Sequence, residues 1–366
     1  MTADGLRSPD AAPDIDVVDV VALGESMVTF LPTRPGRLAD VPSFDRAIGG
    51  AESNVACALA ADGHAVRWVS RVGADGFGDH LVETIGGHGV DVTSVGRDPA
   101  RPTGVYFRTA GDRATDAHEV AYYRAGSAAS AMSAETVDLA AVRAGRVLHL
   151  SGITAALSDD CLGLLRELTA PRSGGPLVSF DVNHRPGLWR DTDGPRVLLE
   201  LARGADIVFV GEDEAEEAWG VTGGPTAISE LLSEPDVLVV KQGARGATLF
   251  RRAEDGSVDQ EAFVPALDAE VVATIGAGDA FAAGFLSATL RGLPDRAGLR
   301  HGHLMAAAAL TVPGDLAAPP PRDLADRLAA LDDDAWGRLR LGPGWTTQTA
   351  RTTQTASRAE EEVRTP

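Results

Sequence analysis

The chain has 366 residues, 44% of them hydrophobic and 23% charged, enough for a sizeable core in one large α/β domain with an insertion or in two ordinary domains. A formal net charge of −20 opposes nucleic acid and anionic membranes as partners, because both are repelled over the whole surface. No apolar run reaches the roughly 20 residues that span a bilayer, and the N-terminus lacks the basic-then-apolar pattern of a secretory signal, so a cytoplasmic location is expected.

Residues 1–15 are acidic, contain two prolines and are expected to be mobile. Residues 17–23 form the first short run that is apolar on both faces. Residues 27–48 break that pattern with strand-like pieces, and an alanine-rich helix is expected over 54–62, directly after a glycine-containing loop. A second buried run covers 66–70. Residues 101–125 hold two more strand-like pieces, 103–108 and 119–124, with the turn-forming pair Gly111-Asp112 between them. Together with 27–48 they suit a small separate sheet, as a lid over a site would be built. Further runs at 147–150, 177–180, 207–210 and 237–240 alternate with helical patterns, which implies βαβ units and a mostly parallel sheet with helices on both faces. Residues 280–290 form a second alanine-rich helix. Cys57 and Cys161 lie inside apolar helical patterns, with neither metal-site nor disulfide spacing, and are expected in the core. The main domain is expected over 16–342. From 343 onward the chain is polar, repeats TTQTA at 346–350 and 352–356, and is expected to be disordered.

The strongest chemical signal is ATIGAGDAFAAGFL at 273–286. Gly276, Ala277 and Gly278 permit a tight turn whose backbone amides converge on one spot, and the helix that follows adds partial positive charge there, as a transferring phosphoryl group requires. Asp279 falls in the first helical turn and is placed to accept a hydroxyl proton. A glycine turn with an aspartate near an N-cap, as many helices have, fits the same residues. Neither GxxxxGK[ST] nor a strand-to-helix GxGxxG occurs, so a P-loop or dinucleotide fold is not expected. The run VVKQGARGA at 239–247 supplies a second glycine turn at the end of a buried strand, where open α/β sheets bind ligands, although any strand-turn-strand reads the same way.

GAGDAF, GGAESNVA at 49–56 and the KQGARG turn, in their order and separation, resemble the ribokinase-like (PfkB) carbohydrate kinase family over roughly residues 17–330. The resemblance implies a central, mostly parallel sheet flanked by helices, a β-sheet lid, and ATP with Mg2+ as cofactors. It makes Asp279 the catalytic base and Gly276, Ala277 and Gly278 the anion hole. RPTGVYFR at 101–108, YYRAGSAAS at 122–130, HLSGIT at 149–154 and SFDVNHRPGLW at 179–189 look like the 2-keto-3-deoxygluconate kinases within it. That likeness implies that Gly50, Ala51, Glu52, Ser53 and Asn54 cradle sugar hydroxyls, and that Tyr106, Tyr122 and Arg124 reach the substrate from the lid. Arg185 would reach both substrate and phosphate, and Asp315 the sugar acid. Nucleotide contacts are implied for Asn183, Arg185, Lys241, Gly243, Arg245, Gly246, Gly276 and Gly278, and a water-mediated magnesium contact for Glu214.

Planar guanidinium groups at Arg124 and Arg185 suit a substrate carboxylate or a phosphate. Each alone also reads as a surface salt bridge, Tyr106 and Tyr122 as lid packing, and Asp181 and Asn183 as turn caps. Two positions depart from the family pattern. Ala273 stands where most members carry the Asp of DTxGAGD, so strong potassium activation is not expected; Gly211 replaces the Asn of NxxE. The expected reaction phosphorylates the terminal hydroxyl of 2-keto-3-deoxygluconate. A fructokinase or ribokinase is the alternative, and a sugar-responsive binding protein on a kinase scaffold a further one. An exposed lid edge would favour a homodimer.

Overall fold

The computed structural model describes residues 16–109, 119–189, 193–253 and 255–347. The segments expected to be mobile, 1–15 and most of the tail, and the Gly111-Asp112 turn lie outside the described residues. In chain order the strands are β1 (Val18–Leu23), β2 (Met27–Pro32), β3 (Phe44–Gly49), β4 (Val66–Gly73), β5 (Val95–Asp98), β6 (Val105–Arg108) and β7 (Val120–Tyr123). They continue as β8 (Gly145–Ser151), β9 (Leu177–Asp181), β10 (Ile207–Gly211), β11 (Val237–Lys241), β12 (Gly246–Arg252) and β13 (Val258–Pro265).

Nine of these form one sheet in the order β13-β12-β11-β10-β9-β8-β1-β4-β5, parallel from β11 to β5 and antiparallel at β12 and β13. The six buried runs picked out by sequence are its central parallel strands. Apart from Val17 and Leu177 at the strand starts, their Val/Ile/Leu/Phe side chains are buried on both faces because helices cover both. On one side pack α1 (Ala51–Ala61) and α2 (Gly76–Gly87), with Leu59, Leu81 and Trp68 in the core; on the other packs α3 (Asp159–Thr169), with Leu164, Leu148 and Phe180. Farther along, α4 (Gly194–Arg203) joins the α3 side, α5 (Glu212–Trp219) follows β10, and α6 (Ala277–Leu290) packs closely with α7 (Asp295–Leu310) beside α1. Cys57 and Cys161 are buried and unpaired, as expected. No helix among the described residues is long and apolar enough to cross a membrane.

The two irregular stretches form a separate four-stranded sheet, β3-β2-β6-β7. Tyr106 and Arg108 point to one face of β6, and Phe107 points to the other, where it stacks on Phe30 at 4.8 Å. At the C-terminal end the expected onset of disorder at 343 is too early. Residues Trp345–Thr347 form a 3-10 turn and the Trp345 side chain is buried in the α1/α6/α7 core, so a single indole anchors an otherwise polar stretch. Just before it, Arg340–Leu341 pairs in parallel with Asp268–Ala269.

Candidate active site

Helices α1 and α6 both begin at the C-terminal edge of the parallel strands, and their first turns meet there. Gly276 caps α6 with φ +77°, and a Cβ at this position would run into the Asp315 carbonyl, so only glycine holds the turn. The amides of Ala277, Gly278 and Asp279 follow in the first turn and have no carbonyl one turn earlier to bond. From α1, the Asn54 side-chain amide donates to Asp279 Oδ2 at 2.8 Å. Asp279 is partly exposed to the cleft but crowded by protein on its other sides. That burial pushes its carboxyl up to about 7; Asp181 and Glu52 add to the rise, and Asn54 and Lys241 oppose it.

Lys241, the last residue of β11, donates to both oxygens of Asp181 at 3.0 and 2.9 Å. Burial alone would lower its pKa, but Asp181 and Glu214 raise it to about 12, so the side chain is a fixed cation. A Cβ added to Gly278 would stand 3.7 Å from Lys241 Nζ, so the lysine lies against the glycine turn.

Between the lid sheet and this edge lies a cavity of about 610 Å³. Gly50, Ala51, Asn54, Tyr106, Tyr122, Arg124, Asn183, Arg185, Lys241, Asp279 and Asp315 all line it, with Gly276, Gly278 and Glu214. Two buried ion pairs stiffen its wall. Arg108 donates to Asp315 Oδ1 at 2.6 Å while the Tyr106 hydroxyl donates to Oδ2 at 2.8 Å. Arg124 Nε donates to Glu25 Oε2 at 2.7 Å, and Ser127 bonds the other Glu25 oxygen. Burial and the Asp315 charge raise the Tyr106 phenol, which therefore stays protonated and donates. Asn183 holds φ +42°, the only positive value outside glycine among the described residues, in keeping with asparagine's tolerance of that region.

Glu52 and Ser53 do not join these residues, contrary to expectation. Helix α1 starts at Ala51 rather than 54, so Ala51 and Asn54 share the cavity face and the two residues between them rotate away. Glu52 is fully buried and accepts from Ser151 and Thr154 at 2.8 and 2.7 Å, and burial raises its pKa. Ser53 bonds Ser26 and the Gly50 carbonyl.

A second cavity, about 600 Å³, adjoins the first and shares Lys241, Thr274 and Gly278 with it. Gly243 and Gly246, for which nucleotide contacts are implied, line it. Arg245 instead pairs with Glu212 at the surface, because the 3-10 turn Gly243–Arg245 directs it outward. Asn183, Arg185 and Gly276 line the first cavity only. Glu214 accepts from its own helix start, the Gly211 amide, at 2.7 Å and lies 3.7 Å from Arg185. Sequence reasoning missed Glu25, Arg108 and the outer wall of the second cavity. Glu25 lies two residues beyond the end of β1, at the strand end where ligands bind, and that position was the available signal. The wall comprises the loop 266–271 and one face of α7, whose alanines read as ordinary core.

A helix start suited to an anion, flanked by a carboxylate and a fixed lysine where two cavities meet, is what a phosphotransferase on a ribokinase-like fold requires. The chain belongs to the pfkB family of carbohydrate kinases, which it matches over residues 18–322. It is 33% identical to the 2-dehydro-3-deoxygluconokinase of Thermoproteus tenax over 90% of this chain and 100% of that protein. Fructokinase-1 of Zea mays is 32% identical over 73% of this chain and 81% of its own length. Among solved structures, the PfkB protein from Polaromonas sp. JS666 superposes with a TM-score of 0.72 at 33% identity, covering 84% of this chain and 99% of its own.

Proposed function

We propose that this kinase transfers the terminal phosphoryl group of ATP to the terminal hydroxyl of 2-keto-3-deoxygluconate (2-dehydro-3-deoxygluconate), giving the 6-phosphate. The observation that carries the sugar-acid reading is that Arg124 and Arg185, two of the three arginines lining one cavity, each keep donors after their internal contacts. Arg124 binds Glu25 through Nε and Nη2, leaving Nη1, and Arg185 spends one donor on the His184 carbonyl with its side chain 52% exposed. A carboxylate is the group such forks match.

In this reading Asp279 Oδ1 takes the proton of the attacking hydroxyl while Asn54 holds Oδ2. The first-turn amides of α6 bind the phosphoryl oxygens, and Lys241 neutralises the charge that develops at the boundary between the cavities. Tyr106, fixed on Asp315, and Tyr122 orient the sugar from the lid. Magnesium, arriving with the nucleotide, would shield the phosphates from one another. No group of three metal-ligating side chains occurs among the described residues, and the cavity-lining carboxylates Asp181 and Glu214 would hold a hydrated ion through its waters. An ADP-release assay over neutral sugars and sugar acids tests the substrate: 2-keto-3-deoxygluconate is expected to give the highest kcat/KM, and a lead for fructose overturns the assignment. The neutral-sugar alternative rests on the carboxylates Glu25 and Asp315, which balance the lid arginines and leave partners for plain hydroxyls.

A further inference from the structure

The second cavity is apolar at the end away from Lys241, lined there by Leu267, Val271, Phe281, Ala306, Ala307 and Leu310. His303 breaks that apolar wall. It is 7% exposed, sits one turn before Ala306 and Ala307 on α7, and packs edge-on against Phe281 with ring centroids 5.1 Å apart. Its Nε2 is 3.1 Å from the Val264 carbonyl. A carbonyl only accepts, so the proton is on Nε2 and Nδ1 is left with a lone pair. Among the described residues no hydrogen-bond partner reaches Nδ1, and the His303 side chain lines the cavity. Burial lowers the ring pKa to about 4, which keeps the imidazole neutral and the acceptor intact throughout the physiological range.

We propose that His303 is the residue that selects the nucleotide base, its Nδ1 accepting a hydrogen bond from the exocyclic amino group of adenine. This rests on the ATP reading above. The surrounding wall offers no side-chain donor for the 6-oxo group of guanine, which would be buried unpaired. Val264 enforces the tautomer from the end of β13, so the selectivity is built into the packing of the sheet on α7.

The test compares kcat/KM for ATP and for purine riboside triphosphate, which lacks only the amino group, in the parent enzyme, His303→Phe and His303→Gln. The parent is expected to favour ATP by roughly tenfold, as one hydrogen bond to a buried acceptor allows. His303→Phe should bring the two nucleotides within about twofold, by raising KM for ATP with kcat held. His303→Gln, which keeps a donor for Val264 and an acceptor for the base, should retain most of the preference. Equal use of the two nucleotides by the parent overturns the inference without any variant, as does an unchanged ratio in His303→Phe. Absence of turnover with every triphosphate overturns the ATP reading itself, and this inference with it.

Discussion

At the scale of single residues, the setting of Asp279 makes its protonation a measurable property. With its carboxyl raised to about 7, kcat/KM should climb about tenfold per pH unit below 7 and level off above it, since only the ionised form accepts a proton. The same shift acts on stability. The unfolded chain releases this proton near 3.8, so between there and about 7 the folded state binds more protons and loses stability as pH rises. Asp279→Asn should therefore lower kcat by roughly 10²- to 10⁴-fold, retain ATP binding by calorimetry, and melt above the parent at pH 8 with the gap closing toward pH 4. At Ala273 no carboxylate is available, and its amide is tied to the Leu310 carbonyl at 3.3 Å. Replacing sodium by potassium should change kcat by less than about twofold; a large gain in a coupled assay would refute the reading of this position. The place of Asp279 in the first turn of α6 was accessible from sequence because the glycine turn marks that helix start, and the motifs around it pointed to the cavity. Glu52 was misplaced because the resemblance was carried over the whole run Gly50 to Asn54, whereas α1 begins at Ala51 and turns Glu52 and Ser53 away from the cavity.

At the scale of elements, β6 ties the lid to the anion-hole turn. Its alternation sends Tyr106 and Arg108 to the same oxygen pair of Asp315, whose own carbonyl abuts Gly276. Arg108→Gln would leave a buried carboxylate without its cation, at a cost of about 3–5 kcal/mol, read as a lower denaturant midpoint. KM for the sugar should rise together with it, and Arg108→Lys should recover part of both. The central strands were readable from sequence because apolar runs of that length and bounded spacing have few other fates in an α/β chain. The wall of the second cavity was not readable. The loop 266–271 has no period, and an alanine face on α7 looks the same whether it meets a helix or a ligand.

At the scale of the whole molecule, the C-terminal segment packs on the wall of the second cavity. Arg340–Leu341 pairs with Asp268–Ala269 in the cavity wall, and Trp345 then anchors the chain in the core. Trp345→Ala should cost about 3–5 kcal/mol by leaving a cavity. It should raise KM for ATP more than KM for the sugar, a split that steady-state kinetics with each substrate varied in turn would detect. Composition hid this anchor, because one indole hardly alters the average of a polar stretch.

The two cavities meet only at Lys241, Thr274 and Gly278, and that narrow frontier has a consequence for traffic. On the proposed assignment of the sugar to the first cavity and the nucleotide to the second, neither would have to pass through the other's chamber to reach the reacting centre. A small molecule lodged at the far end beside His303 should therefore compete with ATP alone, leave the sugar's arrival untouched, and give a noncompetitive pattern against it.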